Sequence, residues 1–319
     1  MSTSLASSKI SALKDRAEMF GRVRAFFAER SVLEVDCPAL GKASPIDLHI
    51  DVMSVFSRKE LLGYLHTSPE YGMKRLLSAG MGDIYQMSHV FRDGEIGPLH
   101  NPEFTMVEWY RLNFTFERMI AETLDLIQLF LGPLTITKIS YRDALLKFAG
   151  IDYLKADPRA LLEWAHQKGI TLPQEAANWD KETLLQLLMS ALVEPRLGVD
   201  ELCVLCDYPA TQAALAKTRL KGEEAVADRF EIYFRGIELC NGYHELTDSQ
   251  EQRRRLIAEN NARAEREKEI LKVDEHFLEA LEAGMPDCCG VAVGFDRLLL
   301  LRLKKDSLSE ILPLPWSEA

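Results

Sequence analysis

Along the chain, runs of apolar residues at helical spacing alternate with shorter runs that alternate in pairs. Residues 9 to 30 place Leu13, Ala17, Phe20, Val23 and Phe27 on one stripe, with Lys and Arg on the other face, which predicts an amphipathic helix. VLEV (32–35) reads as a strand closed by Pro38. In TSPEYGMKRLLSAG, Thr67 or Ser68 can cap a helix with Pro69 at its first position and Gly80 beyond its end. DIYQMSHVF (83–91) and FTMVEWYRL (104–112) alternate as strands, so the polar segment between them is a hairpin loop. A helix over 117–131 follows, then a helical region from about 140 to 200. LCVLCDYP, RFEIYF and IELCN return to strand patterning. A charged helix over about 248–270, a short helix near 274–284, a strand at 290–295 and a helix from Asp296 complete the chain. The pattern predicts one α+β domain spanning 1–319, an antiparallel sheet flanked by helices, with no internal repeat or low-complexity linker.

Composition narrows the class. The chain has 319 residues, 47% hydrophobic and 27% charged, which suits a globular protein with ample core. The formal charge of −11 gives no chain-wide footprint for nucleic acid. The start, MSTSLASSKISALKDR, lacks the apolar core of a signal peptide, and the longest apolar block, LLLL at 298–301, is far too short to span a bilayer. Six cysteines occur, at 37, 203, 206, 240, 288 and 289. Cys203 and Cys206 form a C-x-x-C without a second pair at metal spacing, so buried thiols are favoured over a zinc site. A cytoplasmic location is expected.

The candidate chemistry concentrates in VFRDGEIGPLHNPEFTMVEWYR (90–111). Two arginines, four carboxylates (Asp93, Glu95, Glu103 and Glu108), a histidine, an asparagine and four aromatics share 22 positions, a mixture that no structural period explains. RFEIYFRGIELCNGYHEL adds three glutamates. If Arg235-Gly236 is a two-residue hairpin turn, Phe234 faces Ile237, Tyr233 faces Glu238 and Glu231 faces Cys240. Glu231 and Glu238 then point to the same face, where a magnesium ion would relieve their repulsion; a solvent-facing acidic sheet is the alternative. Asn241-Gly242 would break the alternation and re-aim Glu245. In GVAVGFDRLLLL, Gly294 permits close backbone approach, Asp296 can cap the helix, and Arg297 lies in its first turn, an arrangement suited to phosphate or to a capped core helix. Two arginines, a divalent cation and stacking aromatics together describe a nucleoside triphosphate site.

Three blocks resemble the motifs of class II aminoacyl-tRNA synthetases. RVRAFFAERSVLEVDCPAL is similar to motif 1, the dimer-forming helix and strand. FRDGEIGPLHNPEFTMVEWYR is similar to motif 2, and GVAVGFDRLLLL to motif 3. TSPEYGMKRLL and GIELCNGYHELTD resemble the lysyl branch most closely, and the likeness covers nearly the whole chain. Lysyl synthetases carry an N-terminal OB-fold that reads the anticodon, whereas this chain begins about where their catalytic domain begins. It therefore resembles the free-standing paralogues of that branch, which act on translation elongation factor P. Motif 3 reads Gly290-Val291-Ala292 where the synthetases have Gly-Leu-Gly. Motif 2 has Gly94, followed by Glu95, where they have the glutamate that contacts adenine.

The resemblance implies ATP and Mg2+, a homodimer through the motif 1 region, and elongation factor P rather than tRNA as acceptor. It implies that Arg92 binds the α-phosphate and Arg297 the γ-phosphate. Phe104 stacks on adenine, and Asn101 with the Arg92–Asp93–Gly94 backbone completes an ATP site lined by Leu239 and Gly294. Glu231 and Glu238 hold the metal. The side-chain ammonium of lysine or (R)-β-lysine meets Glu108, Tyr110 and Glu245, and Glu70 takes the other amine, with Ser68, Pro69 and Ala292 alongside. Beside these roles stand plainer ones: Glu70 as a first-turn helix acid, Tyr110 as a half-buried strand aromatic, Phe104 as core. His100 and His244 are candidate bases for a reaction that does not demand one. A truncated tRNA-charging enzyme and a catalytically inactive synthetase-like regulator are the competing functions.

Overall fold

The computed structural model describes residues 7–319; the first six residues of the polar N-terminal stretch lie outside the described residues. The chain divides into two compact units, one formed by the segment up to Gly132 together with His244–Ala319, the other by Pro133–Tyr243. In chain order the elements are α1 (Ser7–Glu29), β1 (Leu33–Glu34), β2 (Leu40–Gly41), β3 (Met53–Ser57), β4 (Glu60–Leu65), α2 (Glu70–Ser78), β5 (Ile84–Phe91), β6 (Glu103–Leu112) and α3 (Phe116–Leu131). There follow β7 (Ile136–Ser140), α4 (Tyr141–Ala144), α5 (Pro158–Gln167), α6 (Lys181–Leu188), β8 (Leu202–Pro209), β9 (Thr218–Lys221), β10 (Glu224–Phe234) and β11 (Ile237–His244). The last are α7 (Ser249–Glu265), α8 (Glu275–Gly284), β12 (Cys288–Gly294) and α9 (Phe295–Arg302).

In the first unit, β5, β6 and β12 form an antiparallel array, and β1 adds to β5 in parallel. Strand alternation assigns the faces of β6. Val107 and Trp109 point to one side, where Phe27 of α1 stacks on Tyr85 at 4.2 Å and meets Trp109 at 5.3 Å, and Trp109 Nε1 donates to Glu122 of α3 at 3.0 Å. Burying a ring such as that of Phe27 is worth about 2–3 kcal/mol. Phe104, Met106, Glu108 and Tyr110 share the opposite face. A small separate sheet joins β2, β4 and β3.

The buried stripe of α1 differs from the one its apolar spacing suggests. Ala12, Met19, Val23, Phe26 and Phe27 are buried, whereas Ala17 is exposed and Leu13 and Phe20 are half-buried. Arg16, expected on the polar face, is buried in that stripe. Its guanidinium is ion-paired with Asp296 and donates to Thr105 Oγ1 at 2.7 Å. Asp296 therefore does not cap α9: Gly294 is the capping residue, without a side-chain bond, and Asp296 Oδ2 accepts the Thr105 N–H at 2.7 Å. Similarly, Pro69 is the capping residue of α2, and the Ser68 hydroxyl accepts the Glu70 N–H at 3.0 Å.

In the second unit, β10 pairs with β8, β9 and β11 in antiparallel fashion, and β7 pairs with β8 in parallel. Leu145, Leu161, Leu184, Leu185 and Leu188 of the helical region pack with Cys203, Leu205, Tyr208 and Tyr233 of the strands. Cys203 and Cys206, three apart on β8, are free and buried, as are the other four cysteines. Among the described residues, no helix is long and apolar enough to cross a membrane.

Candidate active site

The first unit gathers a cluster of carboxylates around β6. Glu108, near the middle of that strand, is buried; its Oε2 accepts from Ser68 Oγ at 2.6 Å and its Oε1 from the Tyr110 hydroxyl at 2.7 Å. Ser68 comes from the turn that leads into α2, so Ser68-Pro69-Glu70 places a hydroxyl and a carboxylate at the start of one helix. Four residues on, Lys74 has no exposed surface; its Nζ lies 2.5 Å from Glu70 Oε1 and 2.6 Å from Glu245 Oε2. Glu245 follows β11 directly and is held by its backbone N–H, which donates to Cys288 O at 3.0 Å. Ser68, Glu70, Glu108, Tyr110 and Glu245, expected to act together, are brought together.

Two residues of β12 border this cluster. Ala292 is the register partner of Glu108, and Gly290 that of Tyr110. A Cβ on Gly290 would lie 2.4 Å from Glu245 Oε1 and 2.4 Å from Tyr110 Cε1, so the glycine is what lets the carboxylate and ring close in. Lys74 had no role assigned from sequence, and Gly290 was named only as part of motif 3. The i, i+4 spacing of Glu70 and Lys74 was the available signal for the lysine, but such pairs are ordinary on helix surfaces.

Burial dominates the electrostatics. It raises the Glu108 carboxyl, as does the charge of Glu70, to about 8, against the pull of Ser68, Tyr110 and Lys74. It also raises Glu245, to about 7, although Lys74 holds that group down. For Lys74, burial works against the charge, but Glu245 and Glu70 outweigh it and its pKa is raised. Two buried carboxylates, Glu108 and Glu245, and the half-buried Glu70 thus share one internal ammonium.

A second group lies at the other end of the same face of β6, about 14 Å from Glu108 at the usual strand rise. The Arg92 guanidinium is 5.1 Å from the Phe104 ring centroid, its NH1 is 3.7 Å from Glu95 Oε1, and its Nε is buried without a hydrogen-bond partner among the described residues. Arg297 donates to His100 Nε2 at 2.9 Å. Burial and the neighbouring Arg297 lower the His100 pKa, with Arg92 adding to the effect and Glu95 opposing it. Asn101 is committed within the chain: its Nδ2 donates to Glu103 O at 2.6 Å and its Oδ1 accepts from Trp316 N at 3.0 Å. The Asp93 N–H donates to Asp51 O at 2.9 Å, and Gly94 adopts a φ of 74° that suits glycine. At Gly294 a Cβ would meet nothing closer than Arg297 Cδ at 3.7 Å, so packing within the chain does not require a glycine there. His244 Nε2 is 2.8 Å from Asp287 Oδ1.

In the second unit, Arg235 and Gly236 have φ of 53° and 70°, and the hairpin they close pairs Phe234 with Ile237 and Tyr233 with Glu238 as expected. A bulge between Ile232 and Tyr233 then shifts the register, so Glu231 faces Asn241 and not Cys240. The break in alternation thus falls before Asn241-Gly242, and both of these residues stay in β11. Glu231 accepts from Arg229 NH2 at 2.6 Å and from the Tyr233 hydroxyl at 2.6 Å. It pairs with Leu205, a residue of the core beneath the helical region, and Leu239 is buried. A carboxylate offers about four lone-pair directions, so Glu231 retains capacity beyond these two bonds. Two carboxylates completed by waters and phosphates suit magnesium better than a full protein cage would; among the described residues no group of three or more His, Cys, Asp or Glu side chains is placed to hold a metal.

Comparison with known proteins identifies the family. The family model for class II tRNA synthetases (D, K and N) matches residues 3–318. An elongation factor P–(R)-β-lysine ligase of Haemophilus influenzae is 42% identical over 311 residues, covering 96% of this chain and 95% of the relative. Proteins of the same name from Vibrio cholerae and Edwardsiella ictaluri are 42% identical over 316 residues and 43% identical over 312. These cover 97% of both chains in the first case, and 96% of this chain and 95% of the relative in the second. The chain belongs to the class II tRNA synthetase family.

Proposed function

We propose that this chain is an ATP-dependent, AMP-forming ligase that activates (R)-β-lysine or lysine as an aminoacyl-adenylate and transfers it to the ε-amine of a lysine on elongation factor P. The observation that carries this reading is the cluster of Glu70, Glu108 and Glu245 around Lys74. Fully ionised, it bears three negative charges against one positive, so it is short of two cations. A diamino acid supplies two ammonium groups, and desolvated ammonium groups demand carboxylate partners. The names of the full-length relatives support the same substrate and acceptor.

The proposed roles follow the two groups on β6. Glu245, Glu108 and Tyr110 receive the side-chain ammonium, and Glu70 the amine nearer the carboxylate, with Ser68, Pro69 and Ala292 shaping the pocket. The substrate carboxylate then attacks the α-phosphorus of ATP in line, the bond to the β,γ-phosphates breaks, and pyrophosphate leaves. Arg92, whose Nε has no hydrogen-bond partner among the described residues, neutralises charge on the α-phosphate, and Arg297 meets the γ-phosphate. Phe104 stacks on adenine, and the Arg92–Gly94 backbone, Asn101 and Gly294 border the nucleotide. Glu231 and Glu238, beside Leu239, would hold Mg2+, which when bound offsets phosphate charge. In the second step the acceptor amine attacks the acyl carbon and AMP departs. Alignment and charge stabilisation supply most of the rate, so no histidine base is needed.

α1 and β1 are the region proposed to form a homodimer. A tRNA acceptor fits the charge less well, since −11 overall provides little attraction for a phosphate backbone. The test is ATP–pyrophosphate exchange with pure protein and each lysine isomer. Robust exchange without RNA is expected; strict dependence on added tRNA would contradict the reading.

A further inference from the structure

The pocket assigned to the amino acid contains a lysine of its own. Lys74 belongs to α2, and its Nζ bridges Glu70 Oε1 at 2.5 Å and Glu245 Oε2 at 2.6 Å with no exposure to solvent. Its Nζ lies 5.9 Å from the Phe277 ring centroid, and that ring stacks on Tyr71 at 4.2 Å, so aromatic surface encloses the ammonium on the α8 side. A buried ammonium is costly unless carboxylates surround it, and two do. The bridge joins residues 175 positions apart, from the first turn of a helix and from the segment after a strand. It engages Glu245 Oε2, while Oε1 lies on the side of Gly290 and Tyr110.

We propose that Lys74 is a positioning residue, a resident counter-ion that fixes Glu70 and Glu245 for the two substrate amines and holds the fully ionised pocket at a net charge of minus two. This rests on reading the pocket as a diamino-acid site. Without Lys74, Glu70 and Glu245 would repel each other, and the pocket would be mismatched to a substrate with two ammonium groups. With Lys74 in place, each carboxylate keeps one oxygen for the substrate.

The test is pyrophosphate exchange with the full chain. Wild-type activity reports on the functional reading alone: no exchange with any diamino acid would remove that reading, whatever Lys74 does. With the wild type active, Lys74→Met should raise KM for the amino acid on the order of 100-fold, as when one partner of a buried ion pair is removed. KM for ATP should stay within about threefold, and Lys74→Arg, which keeps the charge, should recover part of the loss. In Lys74→Ala, added propylammonium should lower the amino-acid KM about tenfold or more and leave the wild type unaffected. Equal changes in both KM values, or no response of a folded Lys74→Ala protein to propylammonium, would overturn the proposal. If Lys74→Met does not fold, Lys74→Ala refolded with propylammonium decides the matter. Recovery of a cooperative melt with recovery of amino-acid affinity supports the role; recovery of the melt alone, or of neither, overturns it.

Discussion

Ala292 and Glu108 face each other across the β6–β12 pair, so the methyl lies beside a carboxylate that is proposed to hold the substrate. The matching position in lysyl-tRNA synthetases is glycine. In α-lysine the amine is one carbon closer to the carboxylate than in β-lysine, so the surface beside that carbon decides which isomer fits. Ala292→Gly should raise the ratio of kcat/KM for α- over β-lysine, with KM for ATP little changed. A methyl in a tight pocket discriminates by roughly 1–3 kcal/mol. If the ratio holds while both rates fall, Ala292 is a packing residue only.

Two pairs along, Gly290 faces Tyr110 and leaves no room for a side chain. Gly290→Ala should push Glu245 and Tyr110 apart. Overpacking of this kind costs about 1–3 kcal/mol, read as a lower Tm, and the amino-acid KM should rise well beyond that for ATP. A variant with wild-type melting and wild-type KM would show that the close approach is not needed.

Much of this arrangement was legible in the sequence, and the parts that were not share a physical cause. The hairpin at Arg235-Gly236 was readable because glycine marks a turn of positive φ. The β3–β4 hairpin turns through Arg58 and Lys59 at φ of 51° and 71°, without glycine or asparagine, so it carried no signal. Glu231 was placed on the correct strand with the wrong partner, because a bulge is set by packing on both faces and not by local composition. Glu70, Glu108 and Glu245 were reached through the family resemblance, because their convergence from three separate segments leaves no mark in local spacing. Lys74 was not, because a lysine four residues after a glutamate reads as surface helix until its burial is known. Arg16 and Asp296, 280 residues apart, were read as a surface charge and a helix cap; their pairing is a tertiary fact.

The carboxylates predict a pH dependence with a definite sign. In the unfolded chain Glu108 and Glu245 would titrate in the ordinary range, near 4.5, whereas in the fold burial raises them to about 8 and about 7. The native state therefore binds more protons between those limits, and these two groups make stability fall as pH rises through that window. The groups acting on them are Glu70, Lys74, Ser68 and Tyr110 for Glu108, and Lys74, Glu70 and His244 for Glu245. Substrate ammonium prefers the ionised carboxylates, so the amino-acid KM should fall as pH rises from about 6.5 to about 8.5, with a smaller change for ATP. The gain in Tm on adding lysine should grow over the same interval. A flat amino-acid KM would place these groups outside the binding site.

His100 accepts from Arg297 and has a lowered pKa, which makes it a neutral acceptor that orients the arginine. His100→Gln should keep kcat within about tenfold, below the usual contribution of a general base, while raising KM for ATP. Arg297→Ala should cost far more. A loss for His100→Gln as large as that for Arg297→Ala would require a chemical role for the imidazole.

The central claim is that this chain forms an amide between a lysine isomer and elongation factor P. Its most direct test is mass spectrometry of purified elongation factor P after incubation with the chain, ATP and either (R)-β-lysine or α-lysine. The account predicts a mass increase of one lysyl residue on a single lysine side chain, dependent on ATP and lost with Arg92→Ala. An unmodified factor, under conditions where the same protein preparation supports pyrophosphate exchange, would contradict it.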